Sequence, residues 1–178
     1  VEHFGLPESP RSDSVPKSKV LEWMENSDIE VLGAVSTYIL DSKYYKRIEP
    51  ALTFDDYHNF LMLYYGRCFQ ENPDGDWSDS RYSAGWSLTN WIKQIWKDEE
   101  IPSSAIDEIN EWLIKLYKEG DSDIRMCIVN ATLEHLFEDK KIRNYFKGWK
   151  KDKELSEAYD MAMQWQKGHP KNGQNELG

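Results

Sequence analysis

Apolar residues recur along most of the chain at the three- and four-residue spacing of amphipathic helices. The densest run lies between Gly120 and Glu138, where apolar residues fall on nearly every face, which predicts a buried helix. Gly120 is predicted to take the left-handed conformation that ends the preceding helix. Asp121 or Ser122 is then predicted to cap the new helix, and so short a turn predicts an antiparallel central hairpin.

The same spacing predicts helices on both sides of the central run. These stretches lie at about 17–26, 28–39, 53–68, 81–97, 103–117, 140–147 and 152–166. The stretch 31–39 is rich in β-branched residues, but its apolar spacing favours a helix over a strand. The chain is therefore predicted to be all-α, with about seven to eight helices in antiparallel pairs. Either a compact bundle or a short helical-repeat-like stack satisfies this pattern.

Composition supports one folded domain. The chain has 178 residues, of which 39% are hydrophobic and 13% aromatic, which is enough apolar material for a core and excludes global disorder. Proline-containing residues 1–16 are predicted to be an extended N-terminal segment, 17–167 a single helical domain, and 168–178 a flexible tail.

Two cysteines, Cys68 and Cys127, fall on apolar helix faces, which predicts buried, reduced thiols rather than a disulfide. The sequence shows neither a charged-then-apolar leader nor an apolar run long enough to span a bilayer. We therefore expect a cytoplasmic protein that does not enter a membrane.

Charge is both acidic and uneven. The chain has 32 Asp and Glu against 22 Lys and Arg, a net charge of −10, which disfavours direct nucleic-acid binding and favours a basic partner. Basic residues gather late in the chain, at Lys140, Lys141, Arg143, Lys147, Lys150, Lys151 and Lys153. Acidic residues gather around one predicted helix, where Asp107, Glu108 and Glu111 lie opposite the apolar stripe and are expected to be exposed.

A second acidic group surrounds one tryptophan in the polar turn 72–80. Counted from Asn72, the first, third and fifth positions of a calcium loop would be Asn72, Asp74 and Asp76, which all supply oxygen atoms. Trp77, however, stands where that loop needs glycine, and Ser83 stands where it needs a bidentate glutamate. We therefore interpret the turn as a partner-binding loop, in which an aromatic anchor is ringed by charge.

Catalytic motifs are absent from the sequence. It has no Gly-x-Ser-x-Gly, no phosphate-binding glycine loop and no His-Glu-x-x-His. His135 and Glu138 share a helix face, but this spacing is more typical of a satisfied histidine at the core edge than of a metal ligand. We expect no cofactor, no metal and no enzymatic activity. A carboxylate- or metal-dependent helical hydrolase and a helical adaptor protein remain the alternatives.

The second half of the chain resembles a known kind of protein. The resemblance is carried by Leu133-Glu134-His135-Leu136-Phe137-Glu138, Tyr145-Phe146, Trp149, Leu155, Ala158-Tyr159 and Trp165. These residues resemble small acidic α-helical bacterial immunity proteins of contact-dependent inhibition and other polymorphic toxin systems. The resemblance implies a cytoplasmic protein that binds and blocks a cognate toxin domain, often a nuclease, and it transfers no catalytic residues.

Charge and resemblance together give one functional hypothesis. The protein is expected to be an immunity- or antitoxin-type binding protein that neutralises a basic toxin by occluding it with an acidic face. The predicted partner-binding residues are Asp74, Asp76, Trp77, Asp79, Asp107, Glu108 and Glu111.

Overall fold

A computed structural model describes residues 13–169. These residues form eight helices and one two-stranded sheet, which confirms the predicted all-α fold of seven to eight helices. They group into two compact units. Of the described residues, the N-terminal unit holds 13–64 and Asp76–Ser78, and the C-terminal unit holds Tyr65–Gly75 and 79–169.

The predicted domain boundaries stay predictions. The single domain expected over 17–167 includes residues of both units. Most of the expected N-terminal segment 1–16 and of the expected tail 168–178 lies outside the described residues, which begin at Asp13 and end at His169.

The N-terminal unit contains α1 (Lys17–Met24), α2 (Ile29–Leu40) and the first part of α3 (Phe54–Glu71). Strand β1 (Val15–Pro16) pairs in parallel with β2 (Ile48–Glu49). No strand was predicted here, since two residues are too few to show the alternation of a strand.

The sequence places Ser27 or Asp28 before α2 and Thr53 before α3 as predicted capping residues, and the structure confirms Asp28 and Thr53. The carboxylate of Asp28 accepts a hydrogen bond from the Glu30 N–H at 2.9 Å at the start of α2. At the start of α3, the Thr53 hydroxyl oxygen accepts from the Asp56 N–H at 3.2 Å. The Asp56 carboxylate accepts in turn from the Thr53 N–H at 2.7 Å, so the two residues cap the helix reciprocally.

The C-terminal unit holds the end of α3 and five further helices. These are α4 (Arg81–Lys97), α5 (Ser104–Glu119), α6 (122–136), α7 (Lys140–Tyr145) and α8 (Lys153–Gly168), with a 3₁₀ turn at Phe146–Lys151. Their buried faces meet around α6, which packs against α4 and α8. The predicted central helix is therefore at the core of this unit.

Helix α6 changes its winding part-way. It is α-helical over Ser122–Cys127, π-helical over Ile128–Leu133 and α-helical again over Glu134–Leu136. The periodicity of the sequence predicted an ordinary α-helix, because an apolar run on every face looks the same in either winding.

The prediction for Gly120 was wrong, while that for Asp121 is confirmed. Gly120 is extended, with φ −75° and ψ 153°, rather than left-handed. The Asp121 carboxylate caps α6 by accepting from the Asp123 and Ile124 N–H groups at 3.0 and 2.9 Å. Glycine is needed for space, because a Cβ at this position would lie 2.7 Å from both the Ile124 Cγ2 and the Leu116 carbonyl oxygen.

Helices α4 and α6 touch at a single close crossing. A Cβ built on Gly85 would lie 2.6 Å from the Ala131 Cβ, so only glycine allows this approach. The buried Thr89 hydroxyl lies 3.0 Å from the Gly85 carbonyl oxygen and 3.1 Å from the Ala131 carbonyl oxygen. The Thr132 hydroxyl donates back to Gly85 at 3.2 Å, so polar groups of both helices are satisfied inside the crossing.

Both cysteines are buried and neither forms a disulfide, as predicted. The Cys127 thiol donates to the Arg81 carbonyl oxygen at 3.3 Å. Burial raises the pKa of Cys127 to about 12, so this thiol is held in its unreactive protonated form. No helix in the described part of the chain combines the length and apolar character needed to cross a membrane.

Replacing Gly85 with alanine is expected to destabilise the protein. Overpacking against Ala131 costs about 1–3 kcal/mol and outweighs the roughly 1 kcal/mol that alanine gains over glycine in a helix. The matched control is Gly66→Ala in α3, where the nearest atom to a new Cβ is Trp112 Cζ2 at 3.5 Å, an ordinary contact. Urea denaturation should give a lower unfolding free energy for Gly85→Ala than for the unaltered protein, and an equal or higher one for Gly66→Ala. Equal stabilities for the two variants would contradict the crossing.

Candidate functional site

The predicted partner-binding residues fall into both units. Asp76 and Trp77 belong to the N-terminal unit, whereas Asp74, Asp79 and the three acidic residues of α5 belong to the C-terminal unit. The sequence hypothesis treated them as one face.

Trp77 is an exposed side chain on a fixed backbone. Its indole is 61% exposed. Its backbone N–H donates to Glu30 Oε2 at 2.9 Å, and the Ser78 N–H donates to Glu30 Oε1 at 3.2 Å. The Ser78 hydroxyl donates to the same Oε1. One carboxylate of α2 therefore holds two consecutive residues of the loop.

Gly33 brings the loop backbone against α2. A Cβ built on Gly33 would collide with the Trp77 carbonyl and lie 2.7 Å from the Ser78 Cα. Any larger residue would push 77–78 away from the helix. The sequence hypothesis identified Trp77 but missed Glu30 and Gly33. An isolated glycine inside the apolar run of α2 was the signal that could have revealed this contact.

The Glu30 carboxylate is stabilised in its charged form. The hydrogen bond from the Ser78 hydroxyl lowers the pKa of Glu30 most, the Trp77 N–H lowers it further, and partial desolvation opposes both. The backbone at 77–78 is thus held by a charged acceptor. An aromatic side chain presented in this way loses little conformational entropy on binding.

The residues of this loop that belong to the C-terminal unit are also held by hydrogen bonds. Asn72 takes a left-handed conformation with φ 44°, which asparagine tolerates. Its side-chain oxygen accepts from the Arg81 N–H at 3.0 Å. Asp74 is exposed, whereas Asp79 is half-buried. Burial raises the pKa of Tyr65 most, and the carboxylate of Asp79 raises it further. Asp79 therefore acts within the C-terminal unit as well as at its surface.

Helix α5 carries the second acidic group. Asp107, Glu108 and Glu111 are all exposed, as predicted, while Ile109 and Leu113 on the opposite side are buried. Between Lys97 and Lys115 the chain has no basic residue. The carboxylates of this interval are Asp98, Glu99, Glu100, Asp107, Glu108 and Glu111. The turn before α5 and the first part of the helix, up to residue 114, therefore carry only negative charge, and Lys115 and Lys118 follow on the same helix.

Two aromatic side chains pack against the polar side of α5. The Tyr145 hydroxyl donates to Asp107 Oδ1 at 2.5 Å, and the Trp149 Nε1–H donates to Asn110 Oδ1 at 2.8 Å. Burial raises the pKa of Tyr145 most, and the carboxylates of Asp107 and Glu111 raise it further, so the phenol stays protonated and keeps donating. These contacts were not predicted, because they join residues 38 and 39 positions apart.

The basic patch, formed by the lysines and the arginine of 140–153, belongs to the same unit as the α5 acidic group. Most of its side chains are exposed on α7 and the 3₁₀ turn. The Lys150 ammonium lies 3.8 Å from Asp160 Oδ1 and 5.6 Å from the centre of the Tyr159 ring. Arg143 donates to the Phe137 carbonyl oxygen at 3.3 Å, so this guanidinium also has a structural contact.

His135 has the surroundings of a structural histidine. Its Nδ1 lies 3.5 Å from Glu138 Oε1, which confirms that the two residues share a face, and its ring meets the Trp165 ring at 5.5 Å. Among residues 13–169, no group of three or more His, Cys, Asp or Glu side chains is placed to hold a metal ion.

Comparison of the chain with protein-family models, with curated proteins and with solved structures found no match. The functional argument therefore rests on the residues and contacts described above.

Removing the Glu30 carboxylate is expected to release the Trp77 backbone. In Glu30→Ala, hydrogen exchange of the Trp77 and Ser78 amides should accelerate on the order of tenfold, because both lose their acceptor. Glu22→Ala removes an exposed α1 carboxylate that pairs with Lys19 and serves as the control.

The same contact should depend on pH. The folded pKa of Glu30 lies below its ordinary value of 4.5, so the contact is complete above pH 4.5 and is lost as the pH falls through the folded pKa. Amide protection that is unchanged by the substitution and by acid would show that Glu30 does not hold the loop.

Proposed function

We propose that this protein binds a basic protein partner and occludes it with an acidic face. The specific proposal is an immunity- or antitoxin-type role, in which the partner is a cognate toxin domain such as a nuclease. A nuclease needs a positive surface for its phosphate-bearing substrate, and an acidic cover competes for that surface.

The carboxylate-rich first part of α5, up to residue 114, is the observation that carries the proposal. Its three outward carboxylates stand on a helix whose other side is anchored in the core, so their positions are fixed by the fold. Residues 98–114 contain six carboxylates and no lysine or arginine, so this stretch of the chain contributes charge of one sign. Charge of one sign accelerates encounter with a positive partner and repels a phosphate backbone.

Trp77 supports the same role from the N-terminal unit. Interface hot spots are enriched in tryptophan, and rigid presentation improves affinity by limiting the entropy lost on binding. An indole that is 61% exposed on a backbone held by Glu30 has both properties. Asp76, beside it in the chain, adds a negative charge suited to the same class of partner.

The partner is best identified by affinity capture from the native source at low and at high salt, with bound proteins identified by mass. We expect one basic protein, released progressively as salt rises. Its toxicity is then tested by expressing it in a heterologous host with and without this chain. Growth arrest by the partner alone, relieved by co-expression, is the expected result. Growth arrest that this chain fails to relieve would refute the immunity role.

Reversing the charge of Asp107, Glu108 and Glu111 to lysine is expected to slow association with that partner roughly tenfold or more at low salt and to flatten its salt dependence. The matched control reverses Glu154, Glu157 and Asp160 on α8, which are also exposed and give the same change in net charge. Stopped-flow association rates distinguish the two. Equal effects would mean that net charge, not the α5 face, governs encounter.

Truncating Trp77 to alanine is expected to weaken binding roughly tenfold or more, mainly through faster dissociation. Trp86→Ala is the control, because Trp86 is 52% exposed but lies on α4, outside both proposed surfaces. Surface plasmon resonance measures both rate constants. A larger loss for Trp86→Ala than for Trp77→Ala would move the interface to α4.

A further inference from the structure

A small cavity opens where α4 ends and α5 begins. It has a volume of about 270 Å³. Besides the ends of α4 and α5, Tyr145, the last residue of α7, lines it. Its floor consists of the buried Ile95 and Ile106. Ligand sites in proteins usually measure about 300–1,000 Å³, so this cavity suits one large side chain better than a free cofactor.

The walls of the cavity are aromatic. Trp96 and Tyr145 are half-buried, and their rings meet edge to face, with centroids 5.7 Å apart and planes at 70°. Ile101, half-buried in the turn between the helices, adds an aliphatic surface. Aromatic rings favour this edge-to-face geometry, and a third ring would extend the same packing.

The rim of the cavity is acidic. Asp98 and Asp107 line its mouth, and both are exposed, as is Ser103 between them in the sequence. The Asp107 carboxylate is held in place by the Tyr145 hydroxyl. In the chain, Asp98 is followed by Glu99 and Glu100, and Asp107 is followed by Glu108 and Glu111. No lysine or arginine lies between Asp98 and Glu111.

We propose that this cavity receives one aromatic side chain of a basic protein segment, with lysine or arginine on both sides of that residue. The apolar floor and ring walls select the aromatic side chain, and the carboxylates at the rim select its basic neighbours. The inference rests on the proposed function, since it names the recognition element of the partner that α5 attracts. A buried aromatic anchor inside a charged rim is the arrangement of an interface hot spot.

A pair of short peptides tests the inference without the native partner. Ac-Lys-Lys-Phe-Lys-Lys-NH₂ carries the proposed element, and Ac-Lys-Lys-Ser-Lys-Lys-NH₂ carries the same charge without the anchor. Each is titrated into the whole isotope-labelled protein while the indole N–H of Trp96 and the amides of Ile101 and Asp107 are followed by NMR. We expect the phenylalanine peptide to bind at least about tenfold more tightly and to shift these signals, whereas the serine peptide should shift them weakly.

A variant that fills the cavity provides the second arm. Ser103→Phe places a ring at the mouth, and it removes no cap, because the Ser103 side chain makes no capping hydrogen bond. Ser104→Phe, one residue away and outside the lining, is the matched control. The first variant should abolish the preference for the phenylalanine peptide, and the second should keep it. Circular dichroism confirms that both are folded.

Two results would overturn the inference. One is equal affinity for the two peptides in the unaltered protein, and the other is a phenylalanine preference that survives Ser103→Phe. Neither depends on capturing a toxin. The peptide experiment can therefore fail while a basic partner is still captured, and a selective peptide response can be seen even if the captured partner proves to be no toxin.

Discussion

The C-terminal unit depends on one contact, the crossing of α4 and α6 at Gly85 and Ala131. The absence of a side chain at Gly85 lets the backbones approach. Backbones this close exclude water from the polar groups between them. The hydroxyls of Thr89 and Thr132 replace it as hydrogen-bond donors to the carbonyl oxygens of Gly85 and Ala131. Ala131 lies within the π-helical stretch Ile128–Leu133, so α4 approaches α6 where α6 is wound as a π-helix. Helix α4 leaves this crossing and ends at the proposed cavity, and α6 buries its remaining faces against α8.

Both candidate surfaces use a carboxylate to position an aromatic side chain or its backbone. Glu30 holds the backbone of Trp77, and Asp107 accepts from the hydroxyl of Tyr145. Neither carboxylate is only a surface charge, although both contribute to the net charge of −10. Acidity and order therefore arise from the same residues. In the proposed role, the charge attracts the basic partner and the fixed positions limit the entropy lost on binding.

Acidic residues dominate one stretch of the C-terminal unit and basic residues dominate another. The carboxylates of 98–111 precede and occupy α5, whereas the lysines of 140–153 occupy α7 and the turn after it. The contact of Tyr145 with Asp107 joins these two stretches through an uncharged hydroxyl rather than an ion pair. In the proposed role, the acidic stretch attracts a positive partner while the basic stretch repels it, which favours one orientation of that partner.

The sequence by itself determined the helices and much of their exposure. Local spacing of apolar residues located α1 to α5 and α8. Side-chain caps at Asp28, Thr53 and Asp121 marked where three helices begin. Position on a helix face predicted that the cysteines are buried and that the carboxylates on α5 are exposed. Only the tertiary structure decided why Gly33, Gly85 and Gly120 are glycines, where α6 winds as a π-helix, and which groups meet at Trp77 and at the cavity. The physical reason is distance along the chain. Glu30 and Trp77 are 47 residues apart and Asp107 and Tyr145 are 38 apart, so these contacts leave no periodic signal for the sequence to show.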